Sequence, residues 1–317
     1  MRSTITAAIA GMSIAAASPA LAEEVSVSGP QGDLAGTMTM PQDGKPMVII
    51  IPGSGPTDRD GNNPMGVKAS TYRLLSEELA GHGAGSLRID KRGMFASAAA
   101  IADANDVSID AYVEDVAAWA DLARERTGND CVWLLGHSEG GIIALKAANR
   151  LEGLCGIVLA ATPGRPLGTL LREQLRANPA NAPILEQADG AIAKLEAGER
   201  VDPAGLHPGL APLFGPQVQG YMIDLMAHDP AKLIATTTLP VLIVQGGKDL
   251  QVLKADADAL AAAGKTAELV EYPEMTHVLK DVEGDDRMAN LASYMSPDMP
   301  LTPGVTDRIV AFMEGAR

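Results

Sequence analysis

The chain has 317 residues, 46% of them hydrophobic and 21% charged, enough for one large α/β domain with an insertion or for two smaller domains. This composition excludes a disordered chain, and aromatics at only 3% leave the core to aliphatic, Met and Ala side chains. A formal net charge of −15 repels nucleic acid and anionic lipid, so neither is expected as a partner.

In chain order, residues 1–22 read as an export signal. Arg2 supplies the positive start, residues 5–18 are apolar or small, Pro19 breaks any helix, and Ala20-Leu21-Ala22 offers a small-x-small cleavage site. The alternative is an uncleaved anchor, but the run falls short of the roughly 20 residues a spanning helix needs. The expectation is an exported protein, periplasmic or extracellular, with no stable membrane insertion.

Val25–Ser28 and Leu34–Met40 are expected to form a hairpin across Gly29-Pro30-Gln31-Gly32. Met47–Ile51 reads as a buried strand stopped by Pro52-Gly53, and Thr71–Gly81 as a helix with Tyr72, Leu74, Leu75 and Leu79 on one side. Gly85–Ile89 is a strand, Ser108–Arg126 a helix capped by Ser108, Cys131–Gly136 a strand, Glu139–Leu151 a helix and Gly156–Ala161 a strand. Residues 166–237 then show helical patterns rich in Leu, Met and Pro, with no convincing strand. The alternation resumes with a strand at Pro240–Val244, a helix at Lys254–Ala263, a strand at Ala267–Tyr272 and a helix at Val305–Glu314.

Strands alternating with helices imply a mostly parallel sheet with helices on both faces. The expected organisation is a core of 23–165 and 238–317, with 166–237 as a helical cap inserted between two strands. Cys131 and Cys155 each begin a strand; they form either a disulfide, as an oxidising compartment permits, or two buried thiols.

The strongest local signal is Gly136-His137-Ser138-Glu139-Gly140-Gly141, between the apolar run Val132–Leu135 and a helical pattern. A Gly-x-Ser-x-Gly in a strand–turn–helix setting is a nucleophile elbow: it raises Ser138 on a strained turn and aims the Glu139 N–H at a developing oxyanion. A serine nucleophile needs a base, and the base an orienting carboxylate. Of the five histidines, His137 lies inside the elbow, His82 at a helix end, and His207 and His228 in the cap. His277 follows the strand ending at Tyr272 by a short loop, at the carboxyl end where catalytic groups gather. Asp249, at the end of the strand preceding that one, is the candidate acid; Asp256 and Asp258 are alternatives that fall in the next helix and are expected to be solvated.

The second oxyanion donor is expected from the loop after Met47–Ile51, Pro52-Gly53-Ser54-Gly55-Pro56-Thr57-Asp58-Arg59-Asp60-Gly61-Asn62, with the Ser54 N–H as candidate. Arg59, flanked by Asp58 and Asp60, either pins this loop through ion pairs or belongs to a solvated charge cluster.

With these residues in hand, the sequence resembles the α/β-hydrolase superfamily. It is similar in particular to bacterial carboxylesterases and serine-aminopeptidase-like hydrolases that carry a Pro-Gly-Ser-Gly-Pro…Asp-Arg-Asp-Gly loop. Asp90-Lys91-Arg92-Gly93 resembles the family's Asp-x-Arg-Gly turn, Gly-Lys-Asp249-Leu-Gln-Val its acid loop, and Met275-Thr276-His277 its histidine loop. The turn departs in continuing Met94-Phe95-Ala96-Ser97, where Gly-x-Ser is commoner. The resemblance covers roughly Val25 to the C-terminus and implies an α/β-hydrolase fold, the triad Ser138, Asp249 and His277, and no metal or cofactor. It also implies cleavage of small carboxylic esters, with peptidase, thioesterase, lactonase or C–C hydrolase as rivals, and a non-catalytic binding protein as the reading from another class. Cap residues Leu213, Phe214, Met222 and Leu225 are expected to line an apolar pocket for the substrate.

Overall fold

The computed structural model describes residues 22–316. The export-signal reading of the first 22 residues therefore lies, apart from Ala22, outside the described residues.

The hairpin opens the fold: β1 (Ala22–Ser28) pairs antiparallel with β2 (Asp33–Thr39) along its whole length. β3 (Met47–Ile51) is buried at every residue, as its unbroken apolar run requires of a strand covered on both faces. A two-residue ribbon, β4 (Asn62–Asn63) with β5 (Val67–Lys68), interrupts the following loop. Then come α1 (Thr71–Gly81), β6 (Gly85–Ile89), α2 (Ile109–Thr127), β7 (Val132–His137), α3 (Glu139–Ala148) and β8 (Leu154–Ala160). α2 starts where the sequence places its cap, with the Ser108 side chain accepting from the Ala111 N–H at 3.1 Å, and it stops at Gly128 (φ 71°).

Between β8 and β9 (Val241–Gly246) the chain forms α4 (Leu167–Arg176), α5 (Leu185–Glu196), α6 (Pro216–Met226) and α7 (Pro230–Thr236), joined by short 3₁₀ turns. α8 (Lys254–Ala263), β10 (Ala267–Tyr272), α9 (Arg287–Ser293) and α10 (Val305–Gly315) complete it. α9 and the 3₁₀ turn Phe95–Ala100 are absent from the sequence-based expectation; each is a single short element with too few residues to show a period.

The main sheet has eight strands in the order β1-β2-β6-β3-β7-β8-β9-β10. β6 pairs antiparallel with β2, and every pair from β6 to β10 is parallel. Alternation along the strands divides the core in two. Ile49, Ile51, Leu134 and Ile243 face α2 and α3, with Trp119 fully buried among them; Val48, Ile50, Leu135 and Val244 face α1 and α10, with Trp133 buried there. The cap has a third cluster of its own, around Ile192, Leu195, Phe214 and Met222. β7 and β8 are neighbours, and Cys131 and Cys155 at their leading ends are joined in a disulfide. Among the described residues no helix is long and apolar enough to cross a membrane.

Candidate active site

One residue separates β7 from α3. Ser138 takes φ 54° and ψ −124°, a region that costs about 1–3 kcal/mol for a residue with a Cβ and persists only where packing imposes it. Its N–H is held by the Ala160 carbonyl at 2.9 Å, and its own carbonyl accepts from the Gly141 N–H at 2.9 Å. The flanking glycines are required by contact: a Cβ at Gly136 would meet the Gly140 carbonyl oxygen at 2.3 Å, and one at Gly140 the Ile51 oxygen at 2.3 Å. Ser138 is left partly exposed at the carboxyl edge of the sheet.

Asp249 lies just beyond β9, its side chain wholly buried. Oδ1 accepts from the N–H groups of Gln251 (2.8 Å) and Val252 (2.9 Å), and Oδ2 accepts from His277 Nδ1 at 2.8 Å. Because the carboxylate accepts, Nδ1 carries the proton and Nε2 is left as the acceptor. The His277 loop is closed by the Thr276 N–H on the Lys280 carbonyl at 2.8 Å. Ser138 and His277 line one cavity of about 250 Å³, together with Gly53, Ser54, Thr57, Tyr72, Gln251, Val278 and Tyr294. Asp256 is not solvated as the sequence suggests. It is fully buried, holding Arg165 at 2.8 Å and the N–H groups of Gly164 and Arg165 at 3.2 Å, so it ties the start of the cap segment to α8. Asp258 pairs with Lys254 at the surface.

His82 pairs with Asp307, and His207 caps a 3₁₀ turn by accepting from the Gly209 N–H; both are outside the site. His137 has a different part. It is buried, with Nε2 2.8 Å from the His277 carbonyl oxygen and Nδ1 2.8 Å from the Tyr72 hydroxyl. A carbonyl only accepts, so Nε2 donates, Nδ1 accepts, and the Tyr72 hydroxyl donates to it. Tyr72 in turn accepts from the Gly53 N–H at 3.1 Å. Burial, with the neighbouring His277 acting in the same direction, pushes His137 down to about 3, which keeps this imidazole neutral and its tautomer fixed.

Lys91, the x of the Asp-x-Arg-Gly turn, is buried with its ammonium 2.7 Å from the Gly53 carbonyl, 3.1 Å from Glu139 Oε1 and 5.3 Å from the centre of the Tyr112 ring. Arg92 pairs with Asp115 on α2 at 2.7 Å. Arg59 does pin its loop, but not through its sequence neighbours. It pairs with Asp90 at 2.8 Å and with Glu24, while Asp60 pairs with Arg88, and Asp58 accepts from the Asp60 and Asn62 N–H groups. Adjacent side chains on a loop point apart, and the partners come from β1 and the end of β6. Tyr72 and Lys91 were not singled out by the sequence as site residues, since a serine–histidine–aspartate arrangement calls for neither type. The one signal available was the fixed place of Lys91 inside a recognisable turn.

A second cavity, of about 350 Å³, lies between cap and core. Leu167, Leu213, Val218, Tyr221, Met222 and Leu225 line it from the cap, and Ser54, Lys91, Tyr112 and Glu139 from the core. Of the cap residues singled out in the sequence, Leu213, Met222 and Leu225 line this cavity. Phe214 does not: it is fully buried in the cap's own cluster, against which the half-buried Leu213 also packs.

The model of the family described as serine aminopeptidase, S33 matches residues 64–187, which include the elbow. The chain is 26% identical over 271 residues to esterase EstD of Thermotoga maritima, covering 83% of this chain and spanning 61% of that relative's length. Among solved structures it is similar to the α/β hydrolase GrgF from Penicillium sp. sh18 (TM-score 0.60, 18% identity, 93% of this chain and 99% of the other). It is similar too to Est1E from Butyrivibrio proteoclasticus with ferulic acid bound (TM-score 0.55, 19% identity, 90% and 95%). With the sheet order, the single-residue elbow between β7 and α3 and these likenesses taken together, the chain has the α/β-hydrolase fold.

Proposed function

We propose that the protein is a serine hydrolase that cleaves small carboxylic esters of short- to medium-chain acids. The observation that carries this reading is the 2.8 Å Asp249–His277 hydrogen bond opening onto the same cavity as Ser138 on its strained turn. Ser138 Oγ attacks the ester carbonyl carbon as His277 Nε2 takes its proton. Asp249 holds the ring and stabilises its charged form. The tetrahedral oxygen is bound by the N–H groups of Ser54 and Glu139, each such donor being worth about 10²–10³ in rate. Collapse breaks the bond to the alkoxide, which His277 protonates. Water, deprotonated by His277, then attacks the acyl-serine and releases the acid.

The acid–base role of His277 orients the substrate. The leaving oxygen lies at His277, so the alcohol occupies the cavity of Gln251, Val278 and Tyr294, and the acyl group runs past Ser54 beneath the cap. That second cavity, about 350 Å³, is at the small end of the roughly 300–1,000 Å³ usual for small-molecule sites, which favours short acyl groups.

The match to a serine aminopeptidase model supports a second reading, cleavage of a peptide at a free amino terminus. Such a substrate needs a carboxylate for its ammonium group. Among the described residues lining the Ser138 cavity there is no Asp or Glu, and Glu139 in the neighbouring cavity is engaged by Lys91. The ester reading is therefore preferred. Export to an oxidising compartment is part of the proposal, and the Cys131–Cys155 bond supports it.

The deciding experiment is hydrolysis of para-nitrophenyl acetate, butyrate, octanoate and palmitate by the wild type and by Ser138→Ala. Turnover of the short esters that vanishes in the variant is the expected result. A folded wild type inert to all four, yet active on aminoacyl amides, would replace the ester reading with the peptidase one.

A further inference from the structure

Both polar groups of the Gly53 backbone are held by buried side chains. The N–H donates to the Tyr72 hydroxyl at 3.1 Å, and the carbonyl accepts from the Lys91 ammonium at 2.7 Å. No peptide bond among the described residues is cis, so across the Gly53–Ser54 peptide the carbonyl and the Ser54 N–H point in opposite directions. Anchoring the carbonyl to Lys91 therefore aims the Ser54 N–H away from Lys91. The same ammonium donates to Glu139 Oε1 at 3.1 Å, and Glu139 carries the other oxyanion N–H. One buried cation thus links the Gly53–Ser54 peptide, which carries one oxyanion N–H, to Glu139, which carries the other. The Tyr72 arm continues through His137 to the His277 carbonyl, tying the same loop to the segment that carries the base.

We propose that Lys91 and Tyr72 are positioning residues that set the geometry of the oxyanion hole through the two backbone groups of Gly53; the proposal rests on the serine-hydrolase reading above. Lys91 is 3% exposed and Tyr72 2%, so removing either side chain leaves a largely buried backbone group of Gly53 without its protein partner. Each acts on the reacting oxygen only by way of the loop. Its loss weakens the grip on the transition state more than the grip on the substrate. Because both act on one residue, their losses are not additive.

The test uses the wild type, Tyr72→Phe, Lys91→Met, Lys91→Arg and the Tyr72→Phe/Lys91→Met double variant. Ester turnover is measured alongside binding of an alkyl trifluoromethyl ketone, whose hemiketal oxygen on Ser138 occupies the hole. In Tyr72→Phe and Lys91→Met, kcat is expected to fall about 10²-fold with KM held within about two-fold, and affinity for the ketone to fall by the same factor as kcat. Lys91→Arg should recover part of the loss, and the double variant should lose little more than the worse single one. Unchanged kcat and ketone affinity, a loss confined to KM, or strict additivity would each overturn the proposal. Should Lys91→Met fail to fold, with Glu139 buried beside no cation, Tyr72→Phe and Lys91→Arg decide the matter. If the wild type hydrolyses no ester, that result counts against the ester reading alone, and ketone binding by wild type and variants still decides the clamp.

Discussion

The two cavities that meet at Ser54 are built on different principles. Around Ser138 the walls come from six separate segments of the core, and the groups that matter are fixed by hydrogen bonds: Asp249 to two backbone amides, His277 to Asp249, His137 to the His277 carbonyl, Gly53 to Tyr72 and Lys91. Beneath the cap, one side of the wall is Leu167, Leu213, Val218, Met222 and Leu225 of the insertion, apolar side chains that make no directional bonds, set against Ser54, Lys91, Tyr112 and Glu139 of the core. Directional bonds fix atoms to fractions of an ångström, as bond making requires. Dispersion contacts fill volume and tolerate exchange of one apolar side chain for another of similar size. On the proposed function, the chemistry falls to the hydrogen-bonded region and selectivity for the acyl group to the apolar one.

Substitutions on the two sides should separate accordingly. The largest effect is expected from Ser138→Ala, a fall in kcat of about 10⁶-fold, with native thermal stability. The strain of the turn stays in that variant, because alanine keeps the Cβ that causes it. Asp249→Asn comes next, at about 10⁴-fold in kcat, because the amide no longer holds His277 with its proton on Nδ1. A loss under about ten-fold on comparable substrates would show that the pair does not orient the base.

On the cap side, Phe214→Ala should cost about 3–5 kcal/mol of stability, as a fully buried aromatic of the cap cluster, yet leave acyl-chain preference as it was. Denaturant unfolding and the ester panel measure the two halves of this expectation. Leu213→Trp does the opposite: it narrows the cavity and should lower kcat/KM for octanoate by about 10–200-fold relative to acetate, with little change in stability. If octanoate and acetate fell together, the acyl group would have to lie in the other cavity.

The last effect concerns pH. The native state holds His137 at about 3, against the ordinary imidazole value of 6.5. Between those two values the unfolded chain takes up a proton at this position and the native chain does not. The group therefore destabilises the fold as pH falls through the window, by up to about 1.4 kcal/mol per pH unit. His137→Gln should flatten the slope of unfolding free energy against pH between 6.5 and 3, and an unchanged slope would mean that the native imidazole does protonate there.

Much of this was legible in the chain. Period-two and unbroken apolar runs gave the eight strands of the main sheet to within a few residues, because strands buried on both faces leave an unmistakable hydrophobic block. Ser138, Asp249 and His277 could be nominated as a candidate site from the chain because the elbow needs glycines at set places and because parallel strands bring their carboxyl ends to one edge. Helix α9 and the 3₁₀ turn at Phe95–Ala100 were not, being too short to show a period.

What the sequence by itself determined is the order of elements and the chemistry available at the strand ends, since both depend on residues adjacent in the chain. Partnership across the chain was decided only by tertiary structure. Arg59 chose Asp90 over its neighbours Asp58 and Asp60, Asp256 left solvent for Arg165, Phe214 turned into the cap while Leu213 faced the cavity, and Cys131 met Cys155. Lys91 came to rest between Gly53 and Glu139, residues 38 and 48 positions away in sequence. Such contacts depend on the direction in which each side chain leaves a loop or a turn. That direction is set by backbone angles that a residue's own identity restricts only weakly, so it is fixed only once the sheet has closed around them.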